Sequence, residues 1–390
     1  MDIKELKHNI VELIPRNGLE GKLELAKKEG RPLRIKLGLD PTAPDIHLGH
    51  AVVIKKIRQF QDMGHEVILL VGDYTTKIGD PSGRSKTRPI LSDEEIKKNA
   101  ETYAKQVGKI LSGKERIAYN SEWISKLTAS DIIKLLSSMT LAQITTREDF
   151  AKRISENTPI FMHELFYPFV QGYDSVALKS DIEIGGTDQT FNMLAGRDIQ
   201  KFYGQNQQTV ITMPLLVGLD GVEKMSKSLG NYVGITDAPE EMYGKIMSIP
   251  DALMASYFNL CLDKEVSVEE INKDSMAKKK ELAFGIVELY HSAVGAQKAQ
   301  DNFKKTVQDK EVPNEIKEFS LDNKMPAFNP SLRLMLVASG LADSNSEAQR
   351  LIEQGGVDVG GKKIKDPNFV INKDCIIKVG KRHYRKIIIK

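Results

Sequence analysis

Cysteine is nearly absent from this chain: Cys261 and Cys375 are the only two in 390 residues. They lie far apart, in segments of different character, which excludes a cysteine-based metal cluster and fits a reducing compartment. Long apolar runs are also missing, and none approaches the roughly 20 residues that span a bilayer. The opening MDIKELKHNIVELIPRNGLE mixes charges through a short helical pattern and shows no apolar leader, so a cytoplasmic protein with no membrane partner is expected. No internal repeat is present. Nor does composition favour disorder: 41% of residues are hydrophobic and 28% charged, so the chain is expected to bury a large core in two or three domains.

Net charge is only +3, yet it is unevenly spread. Residues 331–390 hold 12 Lys and Arg against 6 Asp and Glu, whereas the rest of the chain holds 44 against 47. A mildly acidic body with a basic tail suggests that the tail meets a polyanion. A lysine-rich solvated surface gives the same count.

What is present begins with DPTAPDIHLGH, Asp40 to His50. Before it, Leu33, Ile35, Leu37 and Leu39 alternate as in a strand; after it, Val53, Ile57 and Phe60 recur at helical spacing until Gly64. A strand that turns through two prolines into a helix leaves first-turn N–H groups unpaired and aimed at the turn, a natural anion site. His47 and His50 stand at its mouth with Gly49 between them, and imidazoles there can donate to phosphate oxygens. Two surface histidines at an ordinary helix start give the same pattern, and other nucleotide-binding folds share it. Alone it indicates a nucleotide and no particular reaction.

HEVILLVGDYT reads as a second strand, leading into the loop TTKIGDPSGRSKTR. SDEEIKKNAETYAKQVGKIL is a helix with a capping box at Ser92 and Glu95, and ERIAYN a short strand. Strands near 33, 67, 115, 181 and 209, separated by helical stretches, predict an open parallel α/β sheet that binds ligands at its strand C-termini. This domain is placed at 1–232, with 123–178 as an insertion, followed by a helical domain at 233–311. Three prolines in VPNEIKEFSLDNKMPAFNP place a linker at 312–330. The tail, 331–390, reads as two short helices (the second capped by Ser344 with Glu347), a hairpin at Gly360 and Gly361, and basic strands: a small α+β pattern suited to RNA.

GVEKMSKSLGN sets Lys224 and Lys227 on a glycine-flanked loop with Ser226 and Ser228. Two mobile ammonium groups suit a polyphosphate, closing over it and neutralising charge as pyrophosphate leaves. YPFVQGYD places Tyr167, Gln171 and Asp174 at i, i+4 and i+7 on one helical face, unless Pro168 breaks the helix, and IGGTDQ follows. A buried helix with one polar stripe is the plainer reading of that face.

HLGH and KMSKS together resemble the class I aminoacyl-tRNA synthetases, and YPFVQGYD with GGTDQ narrows the likeness to the bacterial-type tyrosyl-tRNA synthetases over nearly the whole chain. That resemblance implies a Rossmann-like catalytic domain, an S4-like RNA-binding tail, and a homodimer formed through the region MTLAQITTREDFAKRI, each tail reading tRNA(Tyr) held in the other subunit's site. It implies ATP as a substrate, Mg²⁺ accompanying ATP, and L-tyrosine activated as the adenylate, then passed to the terminal ribose of tRNA. Tyr167, Gln171 and Asp80 resemble the groups that hold the tyrosine ammonium, and Asp174 the carboxylate that meets the phenol. Gln189 is implied near the substrate carboxylate and transferring phosphate, and Thr75 as another amino-acid contact. Asp188 and Asp40, with Gly49 and Gly186, are implied on the adenylate. Thr42 and His47 fall on the γ-phosphate side with His50 nearby, and Lys224, Met225, Lys227 and Ser228 on the closing loop.

One position departs from the best-known members, which carry a phenol-reading tyrosine where this chain has Lys36; a subset of the family shares the sequence KLG. Lys36 is therefore expected either to have no role or to supply a cation near the phenol. Two other readings stay open: the tryptophanyl relative, which shares the fold and both signatures but should lack a carboxylate placed for a phenol, and a non-catalytic RNA-binding or regulatory paralogue.

Overall fold

The computed structural model describes residues 3–42, 44–81, 91–305, 316–321, 331–380 and 383–389. Its first sheet comprises β1 (Glu12–Ile14), β2 (Arg34–Leu39), β3 (Glu66–Val71), β4 (Arg116–Tyr119), β5 (Ile182–Gly186) and β6 (Thr209–Met213), in spatial order β1-β6-β5-β2-β3-β4. β2 to β6 are mutually parallel, as the five apolar runs predict. β1 is the exception: it runs antiparallel to β6 at the sheet edge, in a stretch read as helical. Three residues are too few to show strand alternation, and among the described residues of that stretch helix covers Ile3–Lys7 and begins again at Gly18.

Strands β3 and β6 are buried almost throughout, as expected for parallel strands covered on both faces. Leu48–Asp62 packs Leu48, Val52, Ile54, Ile57 and Phe60 inward. The Asp93–Val107 helix starts at the anticipated box: Ser92 Oγ accepts from the Glu95 N–H and the Glu95 carboxylate from the Ser92 N–H, a cap of about 1 kcal/mol.

The Met162–Leu178 helix runs through Pro168 without ending. It lies so close to Thr190–Phe202 that a Cβ on Gly172 would come within 2.5 Å of Ile199 Cδ1.

The chain divides into two compact units, Met1–Ser292 and Ala293–Lys390. The helical segment from 233 to 292 falls within the first of these units. Backbone bonds from Leu48 N to Val233 O and from Ile235 N to Ile46 O tie it to the start of the first sheet's helix. The helical run after 275 also breaks, into Ser275–Tyr290 and Ala293–Phe303; between them the His291 ring lies 2.9 Å from the Asp237 carbonyl.

In the second unit β7 (Glu318–Leu321), β8 (Val357–Val359), β9 (Lys362–Lys363), β10 (Cys375–Val379) and β11 (His383–Ile389) form a sheet of order β7-β11-β10-β8-β9. With the helices Leu332–Ala338 and Asn345–Glu353 they enclose a core of Leu332, Leu336, Ile352, Val357, Ile377 and Ile387. β7 corrects the linker reading: these residues pair in parallel with β11. The rest of that stretch, except 316 and 317, lies outside the described residues. Among the described residues no helix is long and apolar enough to cross a membrane.

Candidate active site

The strand order changes direction between β2 and β5, and the loops leaving their C-terminal ends carry Asp40 to His50 and Gly186 to Gln189. Such a switch point is where an open α/β sheet holds its ligand.

At the helix mouth the anion site is narrower than the sequence suggests. Leu48 N–H donates to Val233, and those of His50 and Ala51 to the His47 carbonyl. Among the described residues this leaves Gly49 N–H as the first-turn donor without such a partner. The work on an anion shifts to side chains.

The His47 and His50 rings lie 3.8 Å apart, and His50 Nδ1 accepts from the His47 N–H, which places the His50 proton on Nε2. Burial, then the nearby Lys227 and Lys224, pushes His50 down to about 3. Burial, His50 and the same lysines hold His47 well below its usual range. Both rings are neutral donors. A Cβ at Gly49 would lie 3.1 Å from the His47 ring. Thr42 sits in the turn, its N–H on the Asp40 carbonyl.

From Asp40 a continuous hydrogen-bonded chain runs into the interior. Thr75 Oγ1 (2.7 Å) and Tyr167 OH (3.0 Å) donate to the two Asp40 oxygens. Asn120 Nδ2 reaches both Thr75 Oγ1 (3.1 Å) and Asp174 Oδ2 (3.3 Å), and Trp123 Nε1 donates to Asp174 Oδ1 at 2.8 Å. Asp174 is fully buried; burial raises its carboxyl to about 7, against the opposing pull of Lys36, Trp123 and Asn120. Tyr167 OH is pushed well above its normal range by burial and by Asp40, so it stays a donor.

Lys36 lies near enough to act on Asp174 through its charge, and its ammonium is bound by three protein partners. Its ammonium lies 2.8 Å from Glu183 Oε1 and donates to Ser175 Oγ (2.7 Å) and the Gln171 carbonyl (3.3 Å). Three partners account for its three N–H donors, which leaves none for a phenol. It braces the site from beneath.

Gln171 Nε2 lies 3.5 Å from Glu183, and its Oε1 is buried with no partner among the described residues. Asp80 joins Gln189 (2.8 Å) and Arg147 (3.3 Å), and Gln189 Oε1 accepts from Asn192 Nδ2.

On the lysine loop, Met225 is buried and its N–H donates to Leu216. Asn231 holds the loop's ends, accepting from Ser226 N–H and donating to the Lys224 carbonyl. Lys224 is paired with Asp188, the implied adenylate contact. Lys227 donates to Tyr103 OH at 3.1 Å, and burial brings its ammonium down to about 8. Ser228 is exposed, its hydroxyl 2.9 Å from that of Ser226. Gly186 leaves room for the carboxylate: a Cβ there would come within 2.6 Å of Asp188 Oδ1.

The sequence reading missed Asn120, Trp123, Arg147, Asn192, Glu183 and Tyr103. A usable signal existed for the first: Asn120 immediately follows β4, and ligand groups gather at strand C-termini.

Comparison with known proteins identifies the family. Residues 27–308 match the family "tRNA synthetases class I (W and Y)" and residues 333–374 the S4 domain. The chain is 50% identical to a tyrosine–tRNA ligase of Carboxydothermus hydrogenoformans over 98% of this chain and 96% of that one. It is 46% identical to the Thermotoga maritima tyrosine–tRNA ligase over 99% and 96%. Among solved structures, tyrosyl-tRNA synthetase from Archaeoglobus fulgidus, complexed with L-tyrosine, has a TM-score of 0.59 at 23% identity, covering 77% of this chain and 100% of that one, a likeness of fold. The match over most of the chain, at this identity, leaves one conclusion: the chain belongs to the tyrosine–tRNA ligase family of class I aminoacyl-tRNA synthetases.

Proposed function

We infer that the switch-point site joins ATP and L-tyrosine as tyrosyl-adenylate, releasing pyrophosphate, and then passes tyrosine to the terminal ribose of tRNA(Tyr). The observation that carries this is the unbroken chain Asp174–Asn120–Thr75–Asp40–Tyr167: it starts from a buried carboxylate and passes through Asp40, which opens the turn leading into the histidine-bearing helix. A tyrosine zwitterion suits that span. Its phenol donates to Asp174, and its ammonium meets Asp80, Tyr167 and Gln171. A tryptophan side chain offers no hydroxyl to Asp174. A site built around a substrate hydroxyl rejects the analogue that lacks it, as tyrosyl enzymes reject phenylalanine, because loss of the OH leaves a buried group unpaired.

The tyrosine carboxylate oxygen attacks the ATP α-phosphorus in line, and the bond to the pyrophosphate oxygen breaks. A ribose hydroxyl of tRNA then attacks the tyrosyl carbonyl and AMP leaves. No protein nucleophile is needed. Gln189 orients the attacking carboxylate; His50 Nε2–H, Thr42 and His47 hold the triphosphate; Lys224, freed from Asp188, and Lys227 balance charge on the departing pyrophosphate. Among the described residues no group of three or more His, Cys, Asp or Glu is placed to hold a metal ion. Mg²⁺ fits this site as a counter-ion carried on the triphosphate oxygens, where it would lower their charge.

The basic second unit binds the tRNA, and a second copy of the chain covers the insertion. Ile133, Leu141, Phe161 and Met162 there are more than half exposed, an apolar surface suited to a self-complementary contact.

The test is amino-acid-dependent exchange of labelled pyrophosphate into ATP, followed by charging of tRNA(Tyr). Exchange with tyrosine and not tryptophan is expected. Exchange with tryptophan alone, or no exchange by folded protein, would overturn the reading.

A further inference from the structure

The two lysines of the loop are held by partners of different chemistry. Lys224 is ion-paired with the Asp188 carboxylate. Lys227 meets a tyrosine: its ammonium donates to Tyr103 OH at 3.1 Å and lies 4.9 Å from the centre of that ring. A carboxylate cancels the cation it holds, so Lys224 must leave Asp188 before its charge can serve a phosphate. A phenol is neutral, and its hydroxyl and ring hold an ammonium without cancelling it.

Tyr103 is fixed to the turn that precedes the two histidines. It is 2% exposed and lies on the Asp93–Val107 helix, on one face with Asn99 and Gln106. Asn99 Nδ2 donates to the Pro41 carbonyl at 3.0 Å. Gln106 Nε2 donates to the Pro44 carbonyl at 2.6 Å, and its Oε1 accepts from the Ile46 N–H at 2.8 Å. The helix thus grips the turn through residues on either side of Tyr103, and the ring between those grips has little freedom to move. Lys227 differs in this respect, since its charge rides on a flexible four-carbon stem. Resting against a buried ring, that charge is registered to the turn as well as to its own loop. It is felt at both His47 and His50, which puts the ammonium and the two imidazoles around one subsite.

We propose that Tyr103 is a positioning residue for adenylate formation: it registers Lys227 against the histidine-bearing turn, so that the second cation of the loop is aimed at the triphosphate with its charge uncancelled. This rests on the reading of the site as one that joins ATP to an amino acid. A cation already in place costs no reorganisation as charge builds on the departing pyrophosphate. Tyr103 acts only through Lys227, and that dependence gives the test.

Single-turnover formation of tyrosyl-adenylate is followed on the full chain at varied ATP, with tyrosine binding measured separately by dialysis. Tyr103→Phe keeps the ring and loses only the hydroxyl. It is expected to lower the second-order rate constant for ATP about five- to twentyfold, the weight of one hydrogen bond to a charged group, with the tyrosine dissociation constant and the melting temperature unchanged. Tyr103→Leu, which removes the ring face as well, should lose more. The double-mutant cycle is decisive: in a Lys227→Met background there is no ammonium to aim, so Tyr103→Phe should change the rate by less than about twofold.

An unchanged rate in Tyr103→Phe, or the same fold loss with and without Lys227, overturns the positioning role while wild-type adenylate formation stands. Failure of the folded wild-type chain to form adenylate overturns the functional reading, and this proposal with it.

Discussion

Lys36 Nζ and Glu183 Oε1 lie 2.8 Å apart, on neighbouring strands in register, with neither side chain meaningfully exposed. The pair also binds Ser175, whose hydroxyl receives from Lys36 and donates to Glu183. Removing one member of such a pair leaves the other charge buried and unmatched, at a cost of about 3–5 kcal/mol. Lys36→Met should therefore lower unfolding stability by about that amount, and adding Glu183→Met should restore much of it. Discrimination of tyrosine from phenylalanine in pyrophosphate exchange separates bracing from recognition: the double variant should keep most of it. A collapse of discrimination in the double variant would give Lys36 a direct part in reading the phenol.

Asp174 makes the site pH-dependent. Both of its oxygens accept, from Trp123 and Asn120, so the ionised form suits its surroundings and a proton on either oxygen would face a donor. Its carboxyl titrates near 7, so kcat/KM for tyrosine is expected to rise with pH and level off above about 7. The effect on stability has the opposite slope. Between about pH 4 and 7 the folded chain keeps a proton that the unfolded chain has released, so this group's contribution declines as pH rises through that window. Asp174→Asn should abolish both slopes and reduce kcat/KM for tyrosine about 10- to 100-fold. A wild-type profile flat from pH 5.5 to 8 would refute the assignment.

How much of this was legible in the sequence follows from the range of each interaction. β2 to β6 could be read because apolar runs of four to six residues are local signals, and the Ser92–Glu95 cap because its partners are three residues apart. The chemistry-bearing groups were legible for a related reason: they cluster in short motifs at strand ends. What escaped were partners chosen by topology. Glu183 stands opposite Lys36 only because β5 pairs with β2, three strands earlier in the chain, and Asn192 meets Arg147 across 45 residues. β1 and β7 escaped because each draws its pattern from the strand it joins.

The second lysine of the loop carries a pH prediction of the other sign. Burial holds the Lys227 ammonium near 8, only partly offset by Asp45, and the free chain loses that charge above it. Since pyrophosphate departure needs the cation, kcat/KM for ATP should fall as pH rises from 8 to 9.5. Lys227→Arg keeps its charge throughout that range and should lose the alkaline limb, even where its rate at pH 7.5 is lower. If the alkaline limb persists unchanged in Lys227→Arg, it belongs to another group.

The insertion supplies the last prediction. Its inner face is committed, with Leu135, Ile144 and Phe150 packed against Phe169 and Ile199. Its outer face leaves Ile133 at 69%, Leu141 at 64% and Met162 at 79% exposure, the apolar surface that the proposed second copy would cover. Because none of these side chains contributes to the inner core, Ile133→Asp with Leu141→Asp should leave the melting temperature of the fold within a few degrees while halving the mass seen by sedimentation at micromolar concentration. The charge placed on both copies would face itself across a two-fold contact, which makes dissociation the expected result even if the remaining apolar residues still fit. A wild-type chain that sediments as a monomer, or a double variant that stays dimeric, would place the contact elsewhere.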